Sequence, residues 1–319
     1  VKIIKKSDNA TIDQSWITRL RYKILGNILQ NIKNQDQAKI AGALLVGTQN
    51  LIPQELMNNI HNSGLIHLLS ISGLHLTIAG LIFFIISRFL LSLNENLTLY
   101  YDIKKISAIF AIIGCFCYLK LAGSPIPAIR SFYFSLLIML AIILDRSANP
   151  MRSIAISFCV IVLSKPISIF SASLQLSFSA ITAITATYQI FEKIKPLNLQ
   201  SSFIKKFLWY FMQIVFSSMV AQLATMPFSI YHFHNFTNFS ILSNLLAIAI
   251  TSFIAMPFGF LSLLLMPLQT GLEKFTLQIM GLSIAIIIDI AKFVANLKYS
   301  QLIVYDFSSF AFATLASAS

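Results

Sequence analysis

The run "HLLSISGLHLTIAGLIFFIIS" (67–87) decides the fold. Its second half is almost entirely apolar, as a helix crossing the hydrocarbon core of a bilayer must be over roughly 20 residues. Its first half is different. His67, Ser70, Ser72, Gly73 and His75 fall within nine positions, and a helix needed only for anchorage has no use for them. The stretch therefore reads as a spanning helix whose leading end serves polar chemistry.

Working outward, apolar segments follow at 65–87, 104–121, 126–144, 151–170, 172–191, 207–230, 240–268 and 275–297, which predicts about eight crossings. Gly, Pro and Ser recur inside them, so some are expected to be broken or re-entrant. The segment 240–268, holding Pro257 and Gly259, is expected to form two half-helices. The fold class is all-α, a polytopic integral membrane helix bundle preceded by amphipathic and short helices. Composition agrees. Of the 319 residues 57% are hydrophobic and 11% charged, against about 25% charged in soluble domains.

Ahead of the bundle, residues 1–14 read as the polar tail of a preceding domain. Residues 15–64 read as amphipathic and short helices at the membrane surface. In "WITRLRYKILGNILQNI" (16–32), Ile17, Leu20, Ile24, Ile28 and Ile32 share a face, which suits a helix lying on lipid or packed on protein. Pro53 marks a helix start and Gly64 a C-cap. The bundle occupies 65–300 and a tail 301–319. Cys115, Cys117 and Cys159 lie in apolar segments, without metal or disulfide spacing, and are expected to be packing residues.

The formal net charge is +12. Part of this is topological, since cytoplasmic loops gather Lys and Arg, and an excess of this kind also suits a polyanion. Loops after the odd-numbered crossings carry Arg88, Lys104, Lys105, Arg146, Arg152, Lys193, Lys195, Lys205, Lys206 and Lys274. The other loops carry only Lys120 and Lys165. The leading end of the first crossing then faces outward. Residues 1–39 would then be outside as well, and their eight further Lys and Arg run against the rule: either the topology is inverted or these charges serve an anionic partner outside, the reading favoured by alternation across seven loops.

On a continuous helix His67 and His75 would lie about 80° apart, within view of one cavity. Gly73 would permit a kink, and Ser70 and Ser72 would satisfy the backbone groups it frees. The same residues would also serve as interfacial histidines on a small-residue packing face.

The stretch "SGLIHLLSISGLHLTIAG" (63–80) resembles the signature of the ComEC family, the inner-membrane DNA-uptake channel of natural transformation. In order along the chain, "AGSPIPAIRSF" (122–132), "KPISIFSASLQLSFSAI" (165–181) and "ATMPFSIYHFHNFTNFSILSNLLAI" (224–248) resemble further segments of that family. Leu174 stands where an aromatic is usual. The resemblance covers about residues 15–300. It implies a multi-pass protein of the bacterial cytoplasmic membrane that admits single-stranded DNA, served by an outer DNA receptor and a cytosolic helicase-like motor, with a homo-oligomer possible. Relatives often carry an oligonucleotide-fold domain and a metallo-β-lactamase-like nuclease domain. The H-x-H-x-D-H cluster of the latter is missing from this sequence, so no nuclease activity, metal or cofactor is expected. His232 and His234 make only an H-x-H.

Arg130 is the clearest charge inside a crossing. A cation in hydrocarbon costs a few kcal/mol, so it must face protein or water. It would grip phosphate with both prongs of its guanidinium, or cap carbonyls. Gln175, Ser177 and Asn244 add polar groups to other crossings and complete the candidate DNA path. Two other classes compete. "SISG" (70–73) resembles a rhomboid nucleophile motif, with Ser72 as nucleophile, but position 70 is Ser where that motif has Gly. A structural or remnant membrane subunit needs none of these groups.

Overall fold

The computed structural model describes residues 16–69, 71, 73–145, 149–194, 203–233, 235–237, 239–268, 271–297 and 301–303. Four helices precede the first long apolar one: α1 (Trp16–Asn31), α2 (Gln35–Val46), α3 (Gln54–Asn62) and α4 (Ile66–Leu69). Then come α5 (Gly73–Ser92), the short α6 (Glu95–Tyr100), α7 (Ile103–Leu121), α8 (Ile126–Ile143) and α9 (Pro150–Ser164). The series closes with α10 (Ala172–Lys193), α11 (Phe203–Phe233), α12 (Ser240–Ile250), α13 (Met256–Leu265) and α14 (Leu272–Ala295). Two strands of three residues, β1 (Asn235–Thr237) and β2 (Gln301–Ile303), pair antiparallel with Asn235 opposite Ile303.

The architecture is the helical membrane bundle expected from the sequence, and each of the eight apolar segments coincides with a helix. Among the described residues, four helical stretches are long and apolar enough to cross a membrane: His75–Ser92, Leu208–Phe233, Ser243–Leu268 and Leu272–Ala295. Pro127–Ile143 and Pro150–Ser164 are apolar but shorter. The two remaining segments, α7 and α10, carry charges at their ends. Exposed Phe89, Leu163, Phe253 and Leu282 show that much of the outer surface is apolar. In water such a surface would drive aggregation; in lipid it is the solvent-facing side.

Helix boundaries follow local chemistry. Asn34, Asp102 and Asn149 cap α2, α7 and α9 by accepting from backbone N–H groups one turn in, which satisfies donors that otherwise have no partner. Gly64 takes φ 78° just after α3, the left-handed stop expected of it. The break expected within 240–268 takes another form. Between α12 and α13 the helix continues through a π turn at Thr251–Ala255. Pro257 has no N–H to offer the carbonyl of Phe253, and the ladder widens there instead of splitting.

The core centres on α2 and α14. The sequence of α2, QDQAKIAGALLV, is apolar nearly all round from Ile40 onward, and every residue from Ile40 to Val46 is buried. That is the pattern of a helix enclosed by protein. Leu277, Met280 and Ile284 of α14 are fully enclosed. Each such side chain stabilises the assembly by about 1.5–3 kcal/mol in aqueous terms, and by packing where the alternative solvent is lipid. Of the shared face on α1, Ile24, Ile28 and Ile32 are buried against protein while Leu20 is exposed. Helix α5 lies tightly against α7, where an added Cβ on Gly114 would come 2.3 Å from the Phe83 ring. Cys115 is buried there and its thiol donates to the Leu76 carbonyl at 3.6 Å. Contrary to expectation, Cys117 and Cys159 are exposed; they sit on outward faces of their helices.

Candidate functional site

The opening motif is not a continuous helix. Helix α4 ends at Leu69, Ile71 is non-helical, and α5 begins at Gly73. Gly73 therefore starts a helix instead of kinking one, and the angular argument that put His67 and His75 in one cavity fails. His67 is exposed with Nδ1 3.1 Å from the Gly64 carbonyl, and His75 is fully buried. Ser70 and Ser72, expected to satisfy the freed backbone groups, lie outside the described residues.

The break nevertheless positions a site. The start of α5, the second turn of α8 and the first two turns of α10 come together: Gly73 faces Ser131, with 3.2 Å between an ideal Cβ and its Oγ, and Arg130 reaches Ser173 and Ser177. The sequence starts two of these helices in recognisable ways. Pro125 precedes α8 and Pro127 lies in its first turn, where no N–H is missed. Ser171 caps α10 by accepting from the Leu174 N–H at 3.3 Å. Between these helices and α9 lies a cavity of about 450 Å³, in the size range of small-ligand pockets. Gly73 and Thr77 of α5, Arg130, Ser131 and Phe134 of α8, Ser157 of α9, and Ser177 and Phe178 of α10 line it, with further apolar residues deeper in.

Arg130 is 6% exposed. One terminal nitrogen donates to the Ser173 carbonyl, and the other donates to Ser173 Oγ at 3.1 Å and Ser177 Oγ at 2.9 Å. Nε has no acceptor. Both prongs are thus committed to α10, so the two-pronged grip on phosphate is not available in this arrangement. All these partners are neutral, and among the described residues no Asp or Glu lines the cavity. A desolvated cation without a counter-charge costs several kcal/mol. The N-terminal ends of α5 and α10 nearby carry partial positive charge and do not offset it.

The other candidates fall elsewhere. Gln175 donates to the Ile169 carbonyl at 3.0 Å and its Oε1 lies 2.7 Å from His232 Nε2, tying the start of α10 to the end of α11. Asn244 sits in α12 beside Ser243, whose hydroxyl donates to the Ser63 carbonyl at 2.6 Å. His67, His75, Gln175 and Asn244 do not line the Arg130 cavity; Gly73, Arg130 and Ser177 do. Sequence reasoning missed Thr77, Ser131, Ser157 and Phe178. The adjacency of Ser131 to Arg130 and the Ser153–Ser157 spacing on one helical face were usable signals.

A second arginine, not singled out from the sequence, also meets several loops. Arg21 donates to the Val46 carbonyl at 2.8 Å, at the C-terminus of α2. Its guanidinium lies 3.1 Å from where a Cβ on Gly123 would be, just past the C-terminus of α7. With Gly47, Gln49, Ile71 and Pro125 it lines a pocket of about 350 Å³. Gln49 donates to the Leu69 carbonyl at 2.8 Å, joining this corner to the end of α4.

The comparisons with known proteins bear on the whole bundle. The chain is 24% identical over 262 residues to "ComE operon protein 3" of Bacillus subtilis (strain 168), a stretch that covers 80% of this chain and 30% of that protein. It is 26% identical over 251 residues to "Uncharacterized protein YcaI" of Escherichia coli (strain K12), covering 75% of this chain and 30% of the relative. The chain therefore spans about 30% of the length of these two relatives. No solved structure matches. Residues 44–318, from the second half of α2 through β2 and beyond, match the model of the Competence protein family, and the chain belongs to that family.

Proposed function

We propose that this chain forms part of a passage for single-stranded DNA across the cytoplasmic membrane during natural transformation. The observation that carries this reading is family membership over residues 44–318. The cation-bearing cavity near the starts of α5 and α10 supports it, because a polyanion crossing a helical bundle needs positive potential along its route. The basic residues of 1–39 would meet the same polyanion outside. The helices 15–64 and the bundle 65–300 then act together. An outer DNA receptor, a cytosolic motor and self-association are the partners this role calls for. The sequence holds no G-x-x-x-x-G-K-[ST] loop, so the energy for transport would come from such a motor.

The protease alternative is not favoured. It requires a histidine base beside Ser72, and the described late histidine, His232, is engaged with Gln175 on α10.

The test is import into proteoliposomes containing the full chain, with a nuclease enclosed in the lumen. Degradation of externally added labelled single strands, above that in protein-free vesicles, is the expected result. Equal signals in both vesicle types would reject the reading.

A further inference from the structure

We infer that the cavity beside Arg130 holds one nucleotide unit at a time, with its phosphodiester group as counter-charge to the guanidinium and its base against Phe134 or Phe178. The inference rests on the reading of the chain as a DNA passage and names where in the bundle the strand is held.

Four features carry it. First, Arg130 is 94% enclosed by the protein, taking the complement of its 6% exposure, yet every hydrogen-bond acceptor it reaches is neutral. An anion brought alongside would relieve the cost of burying that charge. Second, Gly73 at the start of α5 and Ser173 at the start of α10 bring two helix N-termini close to the second turn of α8 that carries Arg130, and the partial positive charge of helix N-termini favours an anion. Third, Thr77, Ser131, Ser157 and Ser177 line the space, and among the described residues no carboxylate lines it to repel an anion; the Ser131 and Ser157 hydroxyls donate to carbonyls of their own helices and would turn from them to donate to a ligand. Fourth, two aromatic residues, Phe134 and Phe178, are part of the lining. Phe178 is held against Phe158 at 5.1 Å in an edge contact, which fixes a surface suited to sequence-independent stacking of a base. A volume of about 450 Å³ accepts a single unit of the strand and not a duplex.

The recognised chemistry is a monoanionic phosphodiester joined to a flat apolar group. This predicts indifference to base identity and dependence on backbone charge. With both terminal nitrogens bound to α10, Arg130 acts through its field and through Ser177, and need not let go of α10 to do so.

The test uses the full chain in nanodiscs of neutral lipid, with a fluorescent oligothymidylate and its uncharged methylphosphonate analogue as probes. The phosphodiester strand should bind about tenfold or more tightly than the analogue, as expected when a buried cation gains or lacks a counter-charge beside it. Filling the cavity by Ala180→Phe, which leaves Arg130 and its anchors in place, should abolish that preference. Arg130→Gln should abolish it too, but this variant also cuts the ties to α10, so Ala180→Phe is the deciding one. Unchanged discrimination in Ala180→Phe overturns the inference. So does displacement of the strand by an anionic phospholipid added to the disc, which would make the cavity a headgroup site. The vesicle import assay separates this inference from the reading beneath it. Import by wild type and equally by Ala180→Phe removes the cavity from the path and leaves the passage standing. No import by wild type, with discrimination intact, removes the passage and leaves the anion site.

Discussion

Arg21 and Arg130 are both anchored to a backbone carbonyl of another helix, yet they sit at opposite ends of the helix dipole. Arg21 meets the carbonyl-rich C-termini of α2 and α7, where a cation offsets partial negative charge. Its corner is near electrical balance and has a structural reason to exist. Arg130 stands beside the N-termini of α5 and α10, where a cation adds to partial positive charge. The same side chain completes one corner and leaves the other seeking an anion. What distinguishes them is which helix ends the fold brings alongside.

The largest expected effect is all-or-none and fixes which side of the membrane both corners face. In a background lacking Cys115, Cys117 and Cys159, single cysteines near Asn149 and Asn198 should resist an impermeant thiol reagent in intact cells. One near Asn235 should be labelled. The reverse pattern would move both arginines to the cytoplasmic side and end the account of an outward site.

Next comes Arg130 itself. Arg130→Gln removes charge-assisted bonds worth about 1.5–3 kcal/mol each, partly offset by relief of the unpaired buried charge, and should on balance lower the stability of the membrane-inserted protein by about 2–3 kcal/mol. Arg130→Lys should lie between. The measurement is thermal unfolding in detergent beside import normalised to inserted protein. Equal normalised import for wild type and Arg130→Gln would show that Arg130 is only a bolt between α8 and α10, erasing the contrast with Arg21.

Arg21→Gln should cost less, about 1–2 kcal/mol, since it removes one cap and one dipole partner. Normalised import should stay near wild type and the affinity for a labelled single strand should not change. A loss of strand affinity matching that of Arg130→Gln would mean that the balance argument for the α2–α7 corner is mistaken.

The smallest effect sharpens the same corner. Gly123 holds φ 83°, and a Cβ there would meet the Arg21 guanidinium at 3.1 Å. Gly123→Ala should destabilise by about 1–2 kcal/mol from the left-handed backbone alone. If the contact with Arg21 matters as well, Gly123→Ala and Arg21→Gln will cost less together than the sum of the two, which a double-mutant cycle measures.

The amino-acid sequence by itself determined the bundle. Runs such as 67–87 and 275–297 are too apolar to be covered any other way, and backbone in lipid must satisfy itself as helix. It also placed stops at Pro53 and Gly64, whose backbone constraints are local, and it singled out Arg130, because a lone cation in an apolar run is conspicuous wherever it packs. Only the tertiary structure decided the rest. It broke the helix between Leu69 and Gly73, enclosed α2, turned 240–268 into one helix with a π turn, and tied both prongs of Arg130 to α10. Each depends on residues distant along the chain: the partner of Arg130 is 43 residues away at Ser173, and that of Ser243 is 180 away at Ser63. Spacing along one helix cannot specify such meetings. They are set by which helix ends pack together, and in this chain that choice gives one arginine a neutral corner and the other a positive one.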